Sequence, residues 1–198
     1  MIDILVVTKN SGKLKEILDI FECKDIRLKT LIDFPPLNVE ENGNSFFENA
    51  YLKAKIAVDT FNIISMGEDS GLVVKALNGK PGIFSKRFAG PDATDLENNM
   101  KLLELIKEIP FNQREAYFIS SVVVMKQDGN YIKGEGMLHG YIIDEMKGTG
   151  GFGYDPIFYI PEYGKTLAEL GDEIKNKISH RYKALMEIKS QLKKFLNL

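Results

Sequence analysis

Five clusters of polar residues in this chain have the types and spacing to handle a phosphate-bearing anion. The most telling is Gly67-Glu68-Asp69-Ser70-Gly71, with an apolar run (Ile63, Ile64, Met66) leading in and another (Leu72, Val73, Val74) leading out. The pattern predicts two strands broken at a sharp turn, with Asp69 at the tip and near solvent. A carboxylate held there binds a hard cation or activates water; the same residues also suit an acidic surface turn. Thr8-Lys9-Asn10-Ser11-Gly12-Lys13 is a polar turn between an apolar run and a helical pattern. Such a turn offers backbone N–H groups to an anion, and Lys13 adds a full charge. It is no Walker A loop, because Val7 stands where that motif needs glycine and Leu14 where it needs serine or threonine.

The other three clusters extend this chemistry. Glu40 and Glu41 lie in a loop ahead of Ser45-Phe46-Phe47-Glu48, and either can ligate Mg²⁺ beside Asp69. Glu48 has capping-box spacing from Ser45, or it shares a helical face with Asn49 and Lys53 toward one site. Gly148-Thr149-Gly150-Gly151-Phe152-Gly153-Tyr154-Asp155-Pro156 has the spacing of a dinucleotide fingerprint, but Ile157 to Ile160 read as a strand, not the helix that the fingerprint must open. Its glycines permit close backbone approach to a ligand, Phe152 offers a stacking face to a base or packs in the core, and Asp155 accepts hydrogen bonds. Lys175-Asn176-Lys177-Ile178-Ser179-His180-Arg181 comes last, with Ser179 read as the N-cap of a final helix. Cations in a first turn oppose the helix dipole, so His180 and Arg181 read as serving a ligand; a solvated basic helix start, or His180 packed in the core, is the alternative.

The elements that must position these groups follow from periodicity. Ile2 to Val7 reads as a strand buried on both faces, and Leu14, Ile17, Leu18 and Phe21 recur at helical spacing. Helices are predicted after Ser45, after Thr94 (a second capping box with Glu97) and after Ser179. Phe118–Met125 and Tyr131–Ile143 are β-rich and flank Asp128-Gly129, a hairpin signal. Strand-turn-helix alternation points to an α/β fold. The 198 residues suffice for one domain, 1–198, which can have two lobes. A net charge of −2 argues against nonspecific nucleic-acid binding, and a single cysteine, Cys23, excludes an internal disulfide and multi-thiolate zinc sites. The opening apolar run is too short for a signal or a membrane span, so a cytoplasmic location is expected.

Asp69-Ser70-Gly71-Leu72, Asn78-Gly79-Lys80-Pro81-Gly82, Ser85-Lys86-Arg87, Gly151-Phe152-Gly153-Tyr154-Asp155-Pro156 and Ile178-Ser179-His180-Arg181 occur in the order found in the inosine triphosphate pyrophosphatase family, which the chain resembles over essentially its whole length. The resemblance implies Mg²⁺-dependent hydrolysis of inosine, deoxyinosine and xanthosine triphosphates to the monophosphate and pyrophosphate. It implies an elongated mixed β-sheet flanked by helices, two lobes with a central substrate cleft, and a homodimer. By the same resemblance Asp69 is the catalytic carboxylate and, with Glu41, a metal ligand. Thr8, Lys9, Asn10, Ser11, Gly12 and Lys13 form the triphosphate-binding turn, and Lys53 contacts phosphate. Ser70, Phe152, Gly153, Tyr154, Asp155, Lys175, His180 and Arg181 match substrate-binding positions. Three departures stand out: Glu68 where aspartate is usual, Lys9 where a small residue is common, and Ser45 for threonine. A nucleotide-binding regulator without catalysis, a hydrolase of pyrimidine or methylated nucleotides, and a nucleic-acid module are the rival readings.

Overall fold

A computed structural model describes residues 1–198. Seven strands, β1 (Ile2–Val7), β2 (Ile26–Thr30), β3 (Ser65–Val74), β4 (Glu115–Met125), β5 (Tyr131–Ile142), β6 (Phe158–Ile160) and β7 (Lys165–Thr166), pair in the order β2-β1-β3-β4-β5-β6-β7. The sheet is mixed: β2, β1 and β3 run parallel, whereas β5, β6 and β7 run antiparallel. Five helices accompany it, α1 (Ser11–Ile20), α2 (Phe46–Phe61), α3 (Asp95–Ile106), α4 (Leu167–Ile178) and α5 (His180–Leu196). The expected α/β class is therefore present.

The chain divides into two compact units, each with its own core. The first comprises Met1–Ser70, Ser120–Gly136 and His180–Leu198. Alternation along β1 decides its layers. Ile4 and Val6 pack with Ile17 of α1 and Ala184, Leu185 and Ile188 of α5, while Leu5 and Val7 pack with Leu37 and Ala57 of α2 on the other face. A strand buried on both faces reads as a continuous apolar run for this reason. Two glycines let helices touch strands. A Cβ at Gly67 would lie 2.0 Å from the Ala50 carbonyl oxygen of α2, and one at Gly136 would lie 2.1 Å from the His180 carbonyl oxygen of α5. Neither close approach survives a side chain.

The second unit comprises Gly71–Ile119 and Met137–Ser179. Its core joins Leu72 and Val74 of β3, Leu102 and Ile106 of α3, Phe118, Leu138, Ile142 and Phe158 of the later strands, and Leu167 and Leu170 of α4. Thr94 and Glu97 complete the expected capping box at α3. The hairpin also forms as expected, with Lys126 donating to the Asn130 carbonyl and Gly129 at φ +82°.

Two expectations need correction. Ser65–Val74 is one unbroken strand, so Glu68 and Asp69 sit within β3 and not at a turn tip. Asp69 is also buried, at 5% exposure, and not near solvent. Charges from distant segments, described below, stabilise this placement against the turn propensity of the local sequence. Ser179 stands directly before α5, at the expected N-cap position, and it also closes a helix, α4, that the periodicity did not suggest. Its Thr166-x-x-Glu169 capping box was visible in the sequence, but Gly171, at φ +76°, kinks the helix and interrupts the pattern.

Candidate functional site

In the first unit the strand β3 presents its two carboxylates to opposite faces, as the period of two requires. Gly67 and Asp69 face α2; Met66, Glu68 and Ser70 face α1 and α5. Because the α2 backbone rests on Gly67, the next turn along places Asn49 and Lys53 over Asp69. Lys53 Nζ lies 3.0 Å from Asp69 Oδ1 and 3.0 Å from the Glu68 carbonyl oxygen, and Asn49 Nδ2 donates to Asp69 Oδ2 at 3.2 Å. Glu41 arrives from the preceding loop, its Oε1 3.1 Å from the same lysine nitrogen. Glu40 is exposed and has no such contact with this group, so the loop carboxylate beside Asp69 is Glu41. Glu48 is exposed and accepts from the Asn44 N–H at 2.6 Å, serving the helix start and not the site.

On the other face Arg181 is 1% exposed and its guanidinium is shared by Glu16, Glu68 and the Ser70 hydroxyl. Ser120 donates to Glu68 Oε1 at 2.9 Å. Lys13 reaches both carboxylates, 3.0 Å from Glu68 Oε2 and 3.9 Å from Asp69 Oδ1. At the buried Glu68 Oε2 the Lys13 ammonium forms an ion pair. The first-turn position of Arg181 is thus explained by internal carboxylates.

These contacts set opposite acidities on adjacent residues. Burial pushes the Glu68 carboxyl up, but Arg181, Lys13 and Lys53 more than offset it and hold it well below the usual carboxylate range. Burial likewise pushes Asp69 up. Lys13 and Lys53 pull it back only in part, Glu41 and Glu68 add to the rise, and the net shift is upward. Burial also lowers Lys53, yet Asp69, Glu41 and Glu68 raise it further, so it remains an ammonium ion. An ionised carboxylate of raised basicity is suited to take a proton.

The turn before α1 divides its labour. Asn10 is the N-cap, its Oδ1 accepting from the Lys13 N–H at 2.9 Å, and the Thr8 hydroxyl accepts from the Asn10 N–H at 3.2 Å. Lys9 and Ser11 are exposed and Gly12 is half-buried. The N–H groups of Ser11 and Gly12 stand in the first turn, where a helix offers orphan donors. The donor set near Asp69 is all oxygen: Asp69 and Glu41 meet at one ammonium position. No group of three or more His, Cys, Asp or Glu converges on one point. Mg²⁺ characteristically takes one or two carboxylates and completes its shell with water and phosphate, so these residues fit that ion.

The second unit holds the other predicted residues. Lys175 pairs with Asp155 Oδ2, both nearly fully buried, and Lys175 Nζ lies 4.6 Å from the Phe152 ring centroid. Asp155 Oδ2 also accepts from the Phe152 N–H at 2.9 Å. Gly151, at φ +72°, is required beside it, since a Cβ there would meet that oxygen at 2.1 Å. Tyr154 is buried and its hydroxyl donates to the Ser85 carbonyl oxygen at 2.8 Å, so its polar end is used internally; burial pushes its pKa above the ordinary value. His180 belongs to the first unit, where it is 4% exposed. Sequence reasoning missed Glu16 and Ser120 in the first unit, whereas Asn49 shares with Lys53 the helical face already read from the sequence. Helical spacing from Lys13 signals Glu16; nothing local signals Ser120.

The sequence model of the Ham1 family matches residues 4–191. A protein named dITP/XTP pyrophosphatase from Halalkalibacterium halodurans is 45% identical over 185 residues, covering 93% of this chain and 95% of that one. One of the same name from Geobacter sulfurreducens is 44% identical over 193 residues, covering 97% of each. A HAM1 protein of known structure from Coxiella burnetii superposes with a TM-score of 0.90 at 37% identity, over 98% of this chain and all of that one.

Proposed function

The chain belongs to the Ham1 family, and from that premise we propose that it hydrolyses nonstandard purine nucleoside triphosphates, those of inosine, deoxyinosine and xanthosine, to the monophosphate and pyrophosphate. The observation that carries the reading is the Asp69 carboxylate, raised in basicity and gripped by Asn49 and Lys53. Lys13 and Lys53 bind the β- and γ-phosphates, and the N–H groups of Ser11 and Gly12 receive phosphate oxygens. In the resting arrangement these lysines sit on carboxylates, so incoming phosphate takes over contacts already charged and aimed. Asp69 orients a water toward the α-phosphorus and accepts its proton at Oδ, and pyrophosphate leaves against the lysines. Asp69 and Glu41 are the residues that would hold Mg²⁺, which when bound neutralises phosphate charge and polarises the reacting phosphoryl group.

The base falls to the second unit. Phe152 supplies a stacking face, and the Lys175–Asp155 pair offers a donor to the 6-oxo group that distinguishes hypoxanthine and xanthine from adenine. A homodimer in the cytoplasm, without nucleic acid as a partner, completes the reading. No helix is long and apolar enough to cross a membrane.

Pyrophosphate release from a panel of purine triphosphates, with Mg²⁺ and with a chelator, is the test. Turnover of the inosine and xanthosine compounds well above that of adenosine triphosphate, abolished by chelation, is expected. Equal turnover of all purines, or activity that survives chelation, would overturn the substrate or the metal assignment respectively.

A further inference from the structure

One glycine of the second unit is held by both of its backbone polar groups from a single helix. The Gly153 N–H donates to Asp95 Oδ2 at 2.7 Å, and Asn99 Nδ2 donates to the Gly153 carbonyl oxygen at 2.8 Å. Asp95 and Asn99 are four residues apart, so they stand on one face of α3. The orientation of Asn99 is fixed by chemistry. Its amide nitrogen also reaches the Asp95 carbonyl oxygen at 2.7 Å, so both neighbours are acceptors and only the NH₂ end can face them. Asn99 Oδ1 is then left buried without a partner, on a residue 2% exposed. A buried acceptor without a partner is costly, and the arrangement keeps it in order to hold the glycine.

Gly153 adopts φ +61° directly after Phe152. The Phe152 N–H is itself tied to Asp155, and Gly150 donates to the Ala168 carbonyl oxygen of α4 at 3.2 Å. The backbone on both sides of Phe152 is therefore pinned, which leaves only its side-chain torsions to set the ring beneath Lys175. We infer that Asp95 and Asn99 are positioning residues for base recognition, which present the Phe152 ring by clamping the Gly153 peptide. The inference rests on the proposal that Phe152 stacks on the base. Both residues act on the segment that carries Phe152, so the clamp acts on substrate binding.

Asp95→Ala removes one clamp contact at an exposed position, Asp95→Asn retains an acceptor for the Gly153 N–H, and Asn99→Asp turns the donor into a carboxylate facing two carbonyl oxygens. With the inosine or xanthosine triphosphate as substrate, Asp95→Ala should raise KM about tenfold, roughly the loss of one good hydrogen bond, with kcat within about twofold. Asn99→Asp should raise it further, and Asp95→Asn should restore most of the loss. Leu96→Ser, on the same helix and 57% exposed, serves as control and should change nothing. A fall in kcat at unchanged KM, no change at all, or failure of Asp95→Asn to rescue would overturn the inference. A readout without turnover separates it from the activity. The chain has no tryptophan, so Phe152→Trp installs a single reporter. Adding Asp95→Ala to that background should increase acrylamide quenching of its fluorescence, and unchanged quenching would overturn the clamp. If the unsubstituted protein turns over no purine triphosphate, the proposed function fails while the quenching result still judges the clamp. Should Asn99→Asp not fold, the two Asp95 variants carry the test alone.

Discussion

In the first unit four carboxylates (Glu16, Glu41, Glu68, Asp69) share three cations (Lys13, Lys53, Arg181), whereas in the second Lys175 pairs with Asp155 over an aromatic ring. The difference separates two tasks. Three of the four carboxylates are buried and Glu41 is exposed, and burial together with the Glu41 and Glu68 charges raises the basicity of Asp69. The Lys175–Asp155 pair has a different task. It fixes geometry, and here it fixes the Phe152 backbone through Asp155 and lies over the ring through Lys175. The first cluster is arranged for an ionic reaction centre and the second for recognition of shape and hydrogen-bond pattern.

Neutralising Asp69 should break the contrast most severely. Asp69→Asn keeps the side-chain shape but loses the proton acceptor, and turnover should fall about a thousandfold while the circular dichroism spectrum stays that of the folded protein. Turnover near that of the unsubstituted chain would remove Asp69 from its role. Arg181→Met comes next. It strands Glu16 and Glu68 within the first unit, and a loss of about 3–5 kcal/mol in urea unfolding is expected. Combining it with Glu16→Gln and Glu68→Gln should cost much less than the sum of the separate losses, because the three share one network. Lys175→Met strands one carboxylate only. Its signature should be kinetic, with KM raised about ten- to a hundredfold and kcat largely kept, since a donor to the base is lost and no phosphate contact is touched.

Local patterns made part of this legible. β1 and α1, the capped start of α3, the Asp128-Gly129 hairpin and α5 all follow from periodicity and turn chemistry within a few residues. β3 did not, because Glu-Asp-Ser-Gly is turn-prone by composition. Its pairing in the sheet and the contact of Glu68 with an arginine 113 residues away have no local signature. β2 was overlooked although Ile26-Arg27-Leu28-Lys29-Thr30 alternates, since five residues carry little signal. The resemblance named Lys175, Asp155 and Phe152, and the structure brings them together. It gave no hint of Asn99, whose contact with Gly153 spans 54 positions, and Asp95 read only as part of a helix start. Tyr154 stands among the contacts that the resemblance implies, and its hydroxyl donates to the Ser85 carbonyl oxygen.

The smallest expected effect gives the sharpest view of the first cluster, because adjacent residues should titrate with opposite sign. Glu68 is held below its ordinary value of 4.5, so its ionised form stabilises the fold above that pH and the contribution is lost as pH falls through the lower folded value. Asp69 is raised above its ordinary value of 3.8, so its protonated form is the favoured one. That contribution is fully present below 3.8 and is lost as pH rises through the higher folded value. Glu68→Gln should therefore be less stable than the unsubstituted protein at neutral pH, with the gap closing on acidification. Asp69→Asn should be slightly more stable at neutral pH, with the gain vanishing below about pH 4 as the native aspartic acid takes up its proton. Urea midpoints for both variants between about pH 3 and 8 would show this crossing. If the two differences moved together with pH, the neighbouring carboxylates would share one environment, and the division of β3 into a braced face and a reactive face would be wrong.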